Sequence, residues 1–185
     1  MKTLALLLIL LPASAVANGT KILESSMGGD IRIDAAPNGA VLRTMGGNIS
    51  VKSSNGLVVA KTMGGDIVVR QLAGSVEAGT MGGNVSVEAV GGAAGRELEL
   101  RSMGGSIELT VPRDFSGEFE VELEQDREQR NEYRIVSDIP LRITESTKRH
   151  WFRTITVLNG TGRSGSGANL VRIFTIGSDI EIRRK

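Results

Sequence analysis

The sequence predicts an all-β protein, a single-domain right-handed parallel β-solenoid with coils of about 18 residues. Three observations carry that expectation. A short motif returns at near-constant spacing: methionines stand at 27, 45, 63, 81 and 103, each preceded by Ser or Thr and followed by Gly-Gly. An apolar residue falls at every second position after each copy, which is the strand period. Glycine is abundant, 24 of 185 residues, and aromatics make up 3%, a balance that suits short strands and tight corners around a narrow core.

The chain opens with MKTLALLLILLPASAVANG. Lys2, the apolar run Leu4 to Leu11 and the small-x-small pattern Ala15-Val16-Ala17 read as a secretory signal peptide over residues 1–17. The run is shorter than the ~20 apolar residues of a membrane span, so none is expected after cleavage. No Cys follows the run, which argues against a lipoprotein anchor. Cleavage after Ala17 removes Lys2 and leaves 21 basic against 21 acidic residues. A neutral chain lacks the basic excess that nucleic-acid binding needs. With no cysteine at all, an exported domain must be held by packing and backbone pairing. The expected location is the periplasm, the cell surface or the medium.

Residues 18–112 form the regular repeat. Strands are expected after each glycine pair: Ile31-Arg32-Ile33, Ile49-Ser50-Val51, Ile67-Val68-Val69, Val85-Ser86-Val87 and Ile107-Glu108-Leu109. A second strand precedes each methionine from the second on, as in Ala40-Val41-Leu42 and Leu98-Glu99-Leu100. Two strands and two corners fill 18 residues, and stacking would place equivalent side chains ~4.8 Å apart. Met27, Met45, Met63, Met81 and Met103 are expected to turn inward at one corner and fill the end of the core. The pairs Gly28-Gly29, Gly46-Gly47, Gly64-Gly65, Gly82-Gly83 and Gly104-Gly105 are expected to free the backbone where it bends. Outward columns fit stacking as well. Asp34, Lys52, Arg70 and Glu88 bring opposite charges onto adjacent rungs, and Asp30, Asn48, Asp66, Asn84 and Ser106 separate acids by amides. Asn38-Gly39 and Asn55-Gly56 are hairpin signals, so an antiparallel meander or sandwich is the alternative.

In residues 113–185 the strict repeat fades into longer strands, read as capping coils of the same domain. Phe119 to Leu123 alternates cleanly, and Thr154 to Leu158 and Leu170 to Ile173 read as strands. The close, Thr175-Ile176-Gly177-Ser178-Asp179-Ile180-Glu181-Ile182, echoes the repeat without its methionine. The terminal Arg183-Arg184-Lys185 is expected to protect a last exposed edge.

Strands of the form T-x-G-G-D-I-x-V, the Asn159-Gly160 loop and the closing T-x-G-S-D-I-x-I resemble the bacterial adhesin family of exported β-strand-repeat proteins. The resemblance spans about residues 25 to 184. It implies adhesion or surface scaffolding and supplies no catalytic motif to carry over.

Enzyme chemistry finds little support in the residues. The single histidine, His150, lies in Lys148-Arg149-His150-Trp151-Phe152-Arg153 with no G-x-S-x-G elbow. Arg149, His150, Trp151 and Arg153 are instead a candidate contact patch, since Trp and Arg are enriched at binding hot spots; packing of Trp151 over the end of the core is the plainer reading. Calcium-binding β-rolls need G-G-x-G-x-D, whereas here the third glycine is missing and Asp alternates with Asn. Thioethers suit Cu(I), but core packing explains the same spacing. The expectation is a non-enzymatic protein without a cofactor that contacts an envelope protein or a surface glycan. The alternative is an envelope protein binding calcium or copper, or an enzyme using the His150 region.

Overall fold

The computed structural model describes residues 20–91, 94–126, 132–150 and 153–185; residues 1–17, expected from sequence to be a signal peptide, lie outside them. Within the repeat, β1 (Ile22–Ser26), β3 (Ala40–Thr44), β5 (Val58–Lys61), β7 (Val76–Thr80) and β9 (Glu97–Ser102) precede the methionines. The strands β2 (Ile31–Ile33), β4 (Ile49–Val51), β6 (Ile67–Leu72), β8 (Val85–Ala89) and β10 (Ile107–Val111) follow the glycine pairs. Past Pro112 come β11 (Gly117–Asp126), β12 (Ile135–Ser137), β13 (Arg142–His150), β14 (Arg153–Ser164), β15 (Asn169–Ile176) and β16 (Ile180–Arg184).

Each repeat sends one strand to each of two sheets. One sheet has nine strands in the order β1-β3-β5-β7-β9-β15-β11-β14-β13; the other has seven, β12-β16-β10-β8-β6-β4-β2. Every named pairing is parallel except β11–β14 and β13–β14. The antiparallel alternative therefore holds only for that pair of contacts. Asn38-Gly39 closes no hairpin: it lies between β2 and β3, which belong to different sheets. Gly39 has φ +90° there, and a Cβ on it would meet the Leu57 carbonyl oxygen of the next repeat at 2.2 Å.

Register follows the sequence columns. Ile31, Ile49, Ile67, Val85, Ile107, Ile180 and Ile135 are successive partners across the seven-stranded sheet. Opposite them run Ala40, Val58, Val76, Leu98, Val171 and Phe119. The inward side chains of both sheets meet in one core that extends from Ile31 to Ile182. The alternation of buried and half-exposed residues along β4, β7, β8 and β10 is what a strand with one dry and one wet face produces.

The longer spacing before Met103 has a physical use. Between β8 and β9 the chain places Arg96, 6% exposed, against the end of the core. Its Nη1 donates to the carbonyl oxygens of Val90 (3.0 Å), Ala73 (3.4 Å) and Leu72 (3.5 Å). Its guanidinium lies 5.3 Å from the centroid of Phe115, which meets Phe119 edge to face. Burial pulls the Arg96 pKa below its ordinary value.

The C-terminal segment does not form a last edge. β15 inserts between β9 and β11, and β16 between β10 and β12, as the sixth copy of the repeat. Arg183 consequently pairs with Glu181 on its own strand and Glu108 on β10, and Lys185 with Glu88 on β8, and they do not guard an open strand. The sheet edges are β1 and β13 in one sheet and β2 and β12 in the other.

Candidate functional site

The corner built by each (Ser/Thr)-Met-Gly-Gly-(Asp/Asn/Ser) copy is where the structure departs most from expectation. The methionines point outward. Met27 is 83% exposed and Met45, Met63, Met81 and Met103 are 50–53% exposed. The residue before each of the later four is the one that turns in: Thr44, Thr62, Thr80 and Ser102 are all buried.

The reason lies in backbone hydrogen bonding. Where the chain bends between sheets, the parallel ladder cannot continue, and buried N–H and C=O groups still need partners. A hydroxyl supplies both functions and a thioether supplies little. Thr62 Oγ1 donates to the Gly47 carbonyl of the preceding rung at 2.9 Å and accepts from Gly65 N–H at 3.3 Å. Thr44, Thr80 and Ser102 repeat the arrangement, and Thr175 donates in the same way to Gly105. The second glycine of each pair is demanded by this stacking: on Gly47, Gly65, Gly83 and Gly105 a Cβ would lie 2.1 Å from the glycine carbonyl of the rung before. The first glycine is not; on Gly46, Gly64, Gly82 and Gly104 a Cβ would find its nearest neighbour at 3.4–4.0 Å, and on Gly28 none within 4 Å.

A second side-chain ladder completes the corner. Asp30 Oδ1 accepts from Asn48 N–H at 2.9 Å, Asn48 Oδ1 from Asp66 N–H at 2.8 Å, Asp66 Oδ1 from Asn84 N–H at 2.7 Å, and Asn84 Oδ1 from Ser106 N–H at 2.9 Å. Asn48 and Asn84 add side-chain amide bonds to the preceding aspartates. That explains the alternation of acid and amide, because stacked carboxylates would repel and could not donate to one another. The Asn48 N–H bond, with Arg32 beside it, holds the Asp30 carboxyl below its ordinary value. Asp30 and Asp66 are thus occupied as acceptors, and among the described residues no three His, Cys, Asp or Glu side chains converge as a metal site.

Two surface features remain as binding candidates. The outer face of the nine-stranded sheet carries a groove of about 350 Å³ across β9, β15, β11 and β14. Arg172 stands in it, paired with Glu97 at 2.5 Å and Glu120 at 3.1 Å, and Phe174 lies beside it. Lys148 bridges Glu122 and Glu124 farther along the same face, and these bonds raise its pKa. The second feature is the methionine ridge. Met63, Met81 and Met103 line a hollow of about 420 Å³ with Phe174, Lys61, Glu77, Glu99 and Arg101. Met27 and Met45 line another of about 270 Å³.

The Arg149–Arg153 patch cannot be assembled in the same way. Backbone register pairs His150 with Arg153 at the last rung of β13–β14. Trp151 and the side chains of Arg149, His150 and Arg153 fall outside the described residues. Sequence reasoning missed the Arg172–Phe174 groove; its one signal was the outward parity of Arg172 and Phe174 along β15. Among the described residues no helix is long and apolar enough to cross a membrane. Comparison with family models, curated proteins and solved structures finds no match.

Proposed function

We propose that this chain is an exported, non-enzymatic binding or scaffolding protein of the cell envelope, and that its two sheets are the walls of a right-handed parallel β-solenoid. The repeat register in both sheets supports the solenoid. The resemblance to the bacterial adhesin family favours surface contact as its use. The observation that carries the reading is the outer groove of the nine-stranded sheet. Its charged side chains are already held by ion pairs, Arg172 with Glu97 and Glu120 on the two flanking strands and Arg101 with Glu99 along β9, on a backbone that is itself paired on both sides. A surface so ordered loses little conformational freedom when a partner docks. Phe174 adds an apolar plate among these polar groups, a mixture that suits an envelope protein or a glycan.

The test is an array of surface glycans and a pull-down from envelope extract, each run with the wild-type chain and with Arg172→Glu and Phe174→Ala. Retention of a ligand by the wild type and its loss in both variants supports the reading. Silence on both platforms, or binding indifferent to both substitutions, refutes it.

A further inference from the structure

Five exposed methionines in register call for an explanation that core packing no longer provides. The buried columns of the same repeat exchange Ile, Val, Leu and Ala freely, as in Leu42, Ala60, Ala78 and Leu100. An outward position kept apolar for its own sake would tolerate the same exchange, and the sixth copy does carry Ile176 there. The first five copies carry sulfur each time. The neighbouring first glycine is also the same in all five, although nothing in the fold crowds it.

We propose that this ridge is a binding site for Cu(I), a soft monovalent d10 cation, with Met63, Met81 and Met103 as the principal ligands and Met27 with Met45 as a second, two-ligand site. Thioether sulfur is a weak ligand for hard ions and selects Cu(I) among the common metals. The spacing fits. Rungs of a parallel sheet repeat every ~4.8 Å, and two sulfur bonds to a d10 ion, at ~2.3 Å each for Zn²⁺, span about the same distance when opposed. Met63 and Met103 stand one rung to either side of Met81, and their flexible side chains can lean inward along the ridge to share one ion with it without moving the backbone. The carboxylates in the hollow are already engaged, Glu77 with Lys61 at 2.5 Å and Glu99 with Arg101 at 2.6 Å, so sulfur is the ligand on offer and calcium or zinc finds no set of oxygens or nitrogens there. The hollow shares Glu99, Arg101 and Phe174 with the outer groove, but none of the methionines lines that groove, so substitutions of the sulfur ligands test the metal site apart from the surface-binding role.

The experiment uses Ag(I), a redox-inert probe of the same chemistry, titrated into the full chain carrying ¹³C-labelled methionine methyl groups. The methyl resonances of Met63, Met81 and Met103 shift together as one ion binds, and those of Met27 and Met45 shift with a second; Ca²⁺ and Zn²⁺ move none of them. The triple variant Met63→Leu/Met81→Leu/Met103→Leu keeps the apolar volume and loses the first ion, with affinity lower by about 100-fold or more. The single variants Met63→Leu and Met103→Leu, each leaving two thioethers, weaken binding about 10-fold or more. The proposal is overturned if Ag(I) leaves the five methyl resonances unmoved, if the leucine variants bind as tightly as the wild type, or if Zn²⁺ or Ca²⁺ shifts the same methyls equally.

Discussion

The pair Thr62 and Met63 offers the sharpest test of how the corner is held. Hydropathy alone would bury the methionine and expose the threonine; the structure does the reverse. In Thr62→Val a methyl replaces the hydroxyl at nearly constant volume. The Gly47 carbonyl then loses a donor at 2.9 Å and the Gly65 N–H an acceptor at 3.3 Å, both in buried surroundings. A buried polar group left without a partner costs about 1–3 kcal/mol. Two such groups, the second bond being long, give an expected loss of about 2–4 kcal/mol. Met63→Ala removes a side chain that is already half in water. Full burial of a methionine is worth about 1.5–3 kcal/mol, so at half burial this substitution should cost about 1.5 kcal/mol at most. Urea unfolding followed by circular dichroism measures both, with the slope compared to confirm that the unfolding unit is unchanged. A ranking in which Met63→Ala costs as much as Thr62→Val would refute the hydroxyl-ladder account of the corner and restore the methionine as a core residue.

Two further outcomes follow from the same geometry. Gly65→Ala should cost about 3 kcal/mol or more, because its Cβ would sit 2.1 Å from a backbone oxygen; Gly64→Ala, with 4.0 Å of clearance, should be neutral or stabilising by up to about 1 kcal/mol, and equal effects in the urea assay would contradict the stacked-glycine reading. Asp30, whose carboxyl is held below its ordinary value by the Asn48 N–H bond and Arg32, contributes stability that is complete above the unfolded value and is lost as pH falls through the lower folded one. A carboxyl ¹³C titration should place its midpoint below that of an ordinary aspartate, and Asp30→Asn, whose amide oxygen can still accept from Asn48 N–H, should remove this pH dependence; a midpoint at or above the ordinary value would contradict the ladder.

Much of this protein could be read before any fold was in hand. The period, the parity of Ile49 and Val51 or of Leu42 and Thr44, and the opposite-sign outward columns are local properties. A strand exposes its two faces in strict alternation, so the burial of each residue follows from its neighbours. Alternation loses its force at a bend. The break was expected at the Thr-Met junction and lies one residue later, so Met45 and Gly46 both face outward while Thr44 and Gly47 face in. Hydrophobicity favours methionine inside; hydrogen bonding of a bent backbone favours threonine, and the unpaired peptide groups weigh more than one thioether. The place of the last repeat was equally hidden. Thr175 to Ile182 is recognisable as a copy of the motif, but the insertion of β15, which leads into it, between β9 and β11 depends on pairing partners more than fifty residues away. Residue pattern determines what a strand can bury. Which strands meet, and what an outward row of sulfur atoms faces, is decided only when distant segments share one sheet.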